Sequence, residues 1–105
     1  MGMGNHWKYN LYTGSALRKC IREEDTEGIL ETLKKCYKEI HKVMPDWYDE
    51  DDLENDIEDI DNELDNYYNM EEYDELTEED IEDNVNYLLD KFYGFCDSCN
   101  IWVGL

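Results

Sequence analysis

The acidic residues of this sequence include an alternating set with the spacing of calcium ligands. Asp59, Asp61 and Glu63 occupy every second position, as the first oxygen ligands of an EF-hand loop do. Such a loop also needs a glycine at its sixth position, and no glycine occurs between Gly28 and Gly94. We therefore expect these carboxylates to attract cations only weakly, and the sequence predicts no dedicated calcium site.

The four cysteines could also bind a metal ion. Cys96 and Cys99 form a CxxC pair, which is half of a zinc motif, and Cys20 and Cys36 could complete a site of four thiolates if the fold brought them together. A redox-active CxxC opens a helix after a strand, whereas this one closes a predicted helix. The apolar surroundings favour reduced, buried thiols, with a zinc site as the alternative.

The sequence indicates a protein that is not an enzyme and needs no cofactor. His6 and His41 are its only histidines, and neither lies in a recognisable motif. A general acid needs a sheltered pocket to raise its pKa, and a solvated acidic helix offers none. Glycine-rich phosphate loops and nucleophile motifs are absent from the sequence as well.

The spacing of the apolar residues predicts a mainly α fold, a small bundle of three to four helices. Helices are expected at about 16–23, 27–44, 46–69 and 78–95, and Pro45 ends the second of them. Residues 7–11 and 101–105 alternate between apolar and polar types, so the two ends of the chain could pair as a short two-stranded β-ribbon.

The third helix is the most acidic part of the chain. Residues 46–65 read DWYDEDDLENDIEDIDNELD, in which twelve of twenty residues are Asp or Glu. A narrow apolar seam runs through it at steps of four and three, formed by Leu53, Ile57, Ile60, Leu64 and Tyr67. At 100° per residue, two rows of acids flank the side opposite the seam. One row holds Glu54, Glu58, Asp61 and Asp65, and the other holds Asp52, Asp56, Asp59 and Glu63.

Charge divides the chain into two parts. The net charge is −20, yet residues 1–42 hold eight Lys and Arg against six acids, while residues 43–90 hold 22 acids and no Lys or Arg. We interpret residues 1–105 as a single acidic helical domain, with a mildly basic half at 1–45 and a strongly acidic half at 46–90. Such a charge repels DNA, RNA and anionic membranes and attracts basic proteins. The sequence contains neither a membrane-spanning run nor a signal peptide, so we expect a cytoplasmic protein.

The candidate partner-binding residues are the acids of the third helix, of the loop after it and of the start of the fourth helix. The two rows place roughly one charge on every 2 to 2.5 Å of helix axis, against about 1.7 Å for B-DNA. The candidates are Asp51, Asp52, Glu54, Asp56, Glu58, Asp59, Asp61, Glu63, Asp65, Glu71, Glu72, Asp74, Glu75, Glu78, Glu79 and Glu82.

In size, composition and charge layout, residues 46–83 resemble the acidic helical faces of small phage-borne DNA-mimic inhibitors of the anti-CRISPR and antirestriction type. The segments HWKYNLYTGSALRKC and IEDNVNYLLDKFYGFCDSCNIWV are similar to small phage proteins too. The resemblance implies a competitive inhibitor that occupies the basic DNA-binding groove of a nuclease, such as a CRISPR nuclease, in the host cytoplasm, without binding nucleic acid itself. The alternative is an interaction or homodimeric assembly module joined through apolar surface, with Trp7, Trp47 and Trp102 as candidates.

Overall fold

The computed structural model describes residues 9–70, 72 and 76–103. These residues form four helices, α1 (Gly14–Arg22), α2 (Thr26–Val43), α3 (Glu50–Tyr68) and α4 (Glu78–Ser98), and two strands, β1 (Tyr9–Leu11) and β2 (Ile101–Val103). The predicted helical bundle is therefore confirmed.

Side-chain caps explain where three of the helices begin. Asp25 accepts a hydrogen bond from the backbone N–H of Gly28 at the start of α2, and Asp49 accepts one from Asp52 at the start of α3. Thr77 and Asp80 form a capping box at the start of α4, in which each side chain bonds the backbone N–H of the other residue. These short polar side chains satisfy amide groups that a helix leaves without partners.

The core is formed mainly by α2, which packs against α1, α3 and α4. Its buried side chains repeat at helical spacing and include Leu30, Leu33 and Ile40. The apolar seam of α3 meets them through Ile60 and Leu64, which confirms the predicted orientation of that helix. Helix α4 also packs against α2, and its side chain Phe92 is fully buried.

The two ends of the described chain pair as a short parallel ribbon. Tyr9 lies opposite Ile101, Asn10 opposite Trp102 and Leu11 opposite Val103. The predicted ribbon is thus confirmed for these residues, whereas residues 7, 8, 104 and 105 of the predicted strands lie outside the described residues.

Two helix boundaries differ from the sequence-based expectation by more than two residues. The third helix begins at Glu50 rather than at residue 46, because the chain after Pro45 first makes a turn in which the amides of Trp47 and Tyr48 bond the carbonyl of Met44. The fourth helix continues to Ser98 rather than stopping near residue 95. Gly94 is tolerated within it, and the extra turn buries Cys96. None of the helices among the described residues is long and apolar enough to cross a membrane.

Candidate protein-binding surface

The acids of α3 fall into two sets that differ in their partners. We call the first set the outer acidic face: its side chains are exposed, and among the described residues no Lys or Arg forms an ion pair with them. We call the second set the partnered acids, since each of them bonds a side chain of another segment. The outer acidic face comprises Glu50, Asp51, Asp52, Glu54, Glu58 and Asp65; the partnered acids are Asp56, Asp59, Asp61 and Glu63.

Asp56 ties α3 to the turn before it and to α4. The hydroxyl of Tyr48, a residue only 2% exposed, donates a hydrogen bond to its carboxylate. The Lys91 Nζ atom lies 3.5 Å from Asp56 Oδ1 and 3.6 Å from Asp59 Oδ2. Although burial lowers the pKa of Lys91, the charges of the two aspartates outweigh it and raise that pKa above its ordinary value. Both carboxylates therefore contribute to the contact between α3 and α4.

Glu63 was predicted to lie on an exposed row, and that prediction is wrong. The side chain is only 8% exposed, and its Oε2 atom accepts a hydrogen bond of 3.1 Å from the Asn84 amide of α4. The helical wheel placed Glu63 away from the apolar seam, but α4 packs over that flank of α3 and covers it. Glu63 is therefore part of the helix contact and not of a surface open to a partner.

Lys34 of α2 covers the opposite edge of α3. Its Nζ atom lies 2.7 Å from Asp61 Oδ1 and 3.8 Å from Glu31 Oε1. The hydrogen bond to Asp61 raises the pKa of Lys34, against a smaller opposing effect of burial. Lys34 is the one lysine of α2 that pairs with a described acid. Lys35, Lys38 and Lys42 are exposed and form no ion pair with a described acid.

The remaining candidate acids lie beyond α3. Glu78, Glu79 and Glu82 are exposed in the first two turns of α4, and Glu72 is exposed in the turn before it. The negative charge at this helix start is favoured by the partial positive charge of the helix N-terminus. Glu71, Asp74 and Glu75 lie outside the described residues.

The exposed acids of α3, which include two of the partnered acids, have a charge density comparable to that of DNA. Eight acids between Glu50 and Asp65 are exposed, including Asp59 and Asp61. At a rise of 1.5 Å per residue they span about 22 Å, which gives about one carboxylate for every 2.8 Å of axis. B-DNA carries about one charge per 1.7 Å, so the two densities agree within a factor of two.

Glu39 of α2 has a structural role that the sequence did not reveal. It accepts hydrogen bonds from the Tyr9 hydroxyl at 2.6 Å, from the amides of Tyr12 and Thr13 at 2.8 and 3.0 Å, and from the Thr13 hydroxyl. Burial by itself would raise the pKa of Glu39, but these bonds together lower it below its ordinary value. Glu39 thereby holds β1 and the start of α1 against α2. Its donors lie 26 to 30 residues away, and no local pattern connects them.

The cysteines are free thiols, and two of them are part of the core. Cys36 and Cys96 are buried, while Cys20 and Cys99 are half-buried. Burial raises the pKa of the Cys96 thiol to about 12 and also raises that of Cys36. No group of three or more His, Cys, Asp and Glu side chains is arranged to hold a metal ion within residues 9–70, 72 and 76–103.

Comparison with known proteins identifies no relative of this chain. No protein-family model, no curated protein and no solved structure matches it. The function must therefore be argued from the surface itself.

Proposed function

We propose that this chain is a non-enzymatic inhibitor that binds the basic DNA-binding groove of a nuclease or another DNA-binding protein, such as a CRISPR nuclease, and excludes DNA from it. The observation that supports the proposal is the set of exposed acids on α3, which are the outer acidic face together with Asp59 and Asp61. Their carboxylates face solvent at a linear density within a factor of two of that of DNA.

The physical reason is electrostatic. A basic groove built for DNA gains affinity by releasing the counterions that surround the phosphates. A rigid helix bearing closely spaced carboxylates has its own layer of counterions, and the same groove can release them. Because α3 is fixed by the partnered acids and by its buried seam, its charges are held in place before binding. Binding then costs less conformational entropy than it would for a disordered acidic tail.

Affinity capture followed by DNA competition tests the proposal. The immobilised chain is incubated with bacterial lysates and washed with increasing salt, and the retained proteins are identified and purified. We expect a basic DNA-binding protein that elutes as salt rises, because ionic contacts between exposed charges are screened. Adding the free chain should then displace duplex DNA from that protein in a gel-shift assay. Retained proteins that keep their DNA at saturating amounts of the chain would contradict the proposal.

A second candidate function has support from one exposed aromatic side chain. Trp47 is 53% exposed and stacks on Phe95, with ring centroids 5.4 Å apart. Tryptophan is enriched in the energetically dominant positions of protein interfaces. This favours an interaction or homodimeric assembly module joined through apolar surface. Trp102 is half-buried in β2, and Trp7 lies outside the described residues.

Light scattering at low and high salt separates these two functions. An apolar homodimer persists in high salt, because hydrophobic contacts are not screened. The inhibitor is expected to be monomeric in low salt, where its net charge of −20 opposes self-association.

A further inference from the structure

A groove opens at one end of the helix bundle, where the first turns of α2 and α4 meet the last turn of α3. Its volume is about 820 Å³, within the range of pockets that bind small molecules and side chains. Ile29, Ile81 and Val85 form its floor, and all three are buried. This apolar floor distinguishes the groove from the outer acidic face of α3, where the neighbouring side chains are polar.

The rim of the groove is negatively charged. Glu24, Glu78 and Glu82 line it, and within the described part of the chain none of them forms an ion pair. Two helix N-termini and two helix C-termini meet here, so their partial charges largely offset one another. Among the described lining residues, these three carboxylates carry the charge of the rim.

Two aromatic rings also line the groove. Tyr67 is half-buried, and Tyr68 is 58% exposed. The Tyr68 hydroxyl donates a hydrogen bond of 2.8 Å to Glu27 Oε1 at the start of α2, which restrains the position of its ring. A ring held in this way at the mouth of a groove offers a face on which a cation can stack.

We propose that this groove binds an arginine- or lysine-bearing segment of a protein partner. Such side chains combine an apolar stem with a cationic head, which matches an apolar floor below an acidic rim. Arginine fits best, since its planar group stacks on tyrosine and bonds carboxylates through two parallel N–H groups. This proposal rests on the proposed function, because that function supplies the class of partner, a basic protein. It adds a second contact surface at the end of the bundle.

Titration with short peptides, followed by amide chemical shifts in the ¹⁵N-labelled protein, tests the proposal. The probe is a peptide of alternating leucine and arginine. The comparison peptides replace arginine by citrulline, which removes the charge, or leucine by glycine, which removes the apolar side chains. We expect the amides around Ile29, Tyr68 and Ile81 to shift with the first peptide, and each comparison peptide to bind at least about fivefold more weakly.

A pair of matched variants locates the peptide. Glu78→Gln with Glu82→Gln removes two charges from the groove, and Glu54→Gln with Glu58→Gln removes two from the outer acidic face. The first pair should lower the affinity for the leucine–arginine peptide about fivefold, and the second pair should lower it less than twofold. The amide spectrum of each variant without peptide serves as the control for folding.

Three results would overturn the proposal. One is the absence of peptide binding, and another is an equal loss of affinity in both variants, which indicates general charge attraction. The third is a shift of the groove amides with protein concentration alone, which identifies a second copy of this chain as the occupant. None of these bears on displacement of DNA by the outer acidic face, so the two proposals fail separately.

Discussion

The outer acidic face and the partnered acids lie on the same helix and have the same chemistry, yet their surroundings differ. Glu58 is exposed to solvent and forms no ion pair with a described residue. Asp56, two residues earlier, accepts a hydrogen bond from a buried tyrosine and pairs with Lys91. A carboxylate with such partners stabilises the fold, whereas an unpartnered one adds to self-repulsion. The number of acids in a sequence therefore overestimates the charge available for binding.

Removing Glu39 should give the largest loss of stability. This variant extends the comparison to α2, where Glu39 is also a carboxylate with hydrogen-bond donors around it. Glu39→Ala leaves four donors without their acceptor. We expect the free energy of unfolding to fall by about 2 to 3 kcal/mol. Urea denaturation measures the change, and Glu23→Ala, at an exposed acid after α1, should cost less than about 0.5 kcal/mol.

The contribution of Glu39 should also depend on pH. Because the pKa of Glu39 is lowered in the folded state, its stabilisation is present above the ordinary value of 4.5. It is lost as the pH falls from there through the lower folded-state pKa. The stability difference between the wild type and Glu39→Gln should therefore be constant near neutral pH and shrink in acid. A difference that grows in acid would contradict the assigned hydrogen bonds.

Replacing one acid from each set tests the comparison within α3 itself. Asp56→Ala removes the acceptor of the buried Tyr48 hydroxyl and one partner of Lys91, so we expect a loss of about 1 to 2 kcal/mol. Glu58→Ala should change the free energy of unfolding by less than about 0.5 kcal/mol. Equal effects in urea denaturation would show that the two sets do not differ. A double-mutant cycle with Tyr48→Phe isolates the hydrogen bond.

Removing the cation that α4 supplies should have a smaller effect. Lys91→Met leaves Asp56 and Asp59 without their shared counter-charge. Since Lys91 is partly exposed, we expect a loss of only about 0.5 to 1 kcal/mol, and less in 1 M salt. Lys38→Met is the matched control, because Lys38 is exposed and pairs with no described acid. Thermal unfolding at two salt concentrations should separate the two variants, and a salt-independent loss would argue against the ion pairs.

Neutralising the outer acidic face should have the smallest effect on stability, and it should stabilise the protein rather than destabilise it. Glu54→Gln with Glu58→Gln reduces repulsion among neighbouring carboxylates without removing a contact within the described chain. We expect the free energy of unfolding to rise by about 0.3 to 0.5 kcal/mol at low salt. A loss above 1 kcal/mol in urea denaturation would place these residues among the partnered acids.

Local sequence patterns were sufficient to predict most of the fold. The seam of Leu53, Ile57, Ile60 and Leu64 identified α3 as a helix with one buried side. The spacing of apolar residues likewise predicted a fourth helix from residue 78, where α4 begins. These features depend on residues three or four positions apart.

The two sets of acids could not be separated from the sequence. A helical wheel treats the flanks of the seam alike, whereas the partners that distinguish them come from Lys34, Tyr48, Asn84 and Lys91 on other segments. Which flank α4 would cover depends on helix packing and not on helical spacing. The same reason explains why Glu39 was missed.

Displacement of DNA by two charge-matched variants tests the central claim most directly. Glu54→Lys with Glu58→Lys reverses two charges of the outer acidic face, and Glu23→Lys with Asp97→Lys makes the same change in net charge at exposed sites outside α3. With the captured DNA-binding protein and labelled duplex DNA, the first variant should need at least about tenfold more protein than the wild type for half displacement, and the second less than threefold. Equal potency of the two variants would contradict the assignment of binding to the outer acidic face.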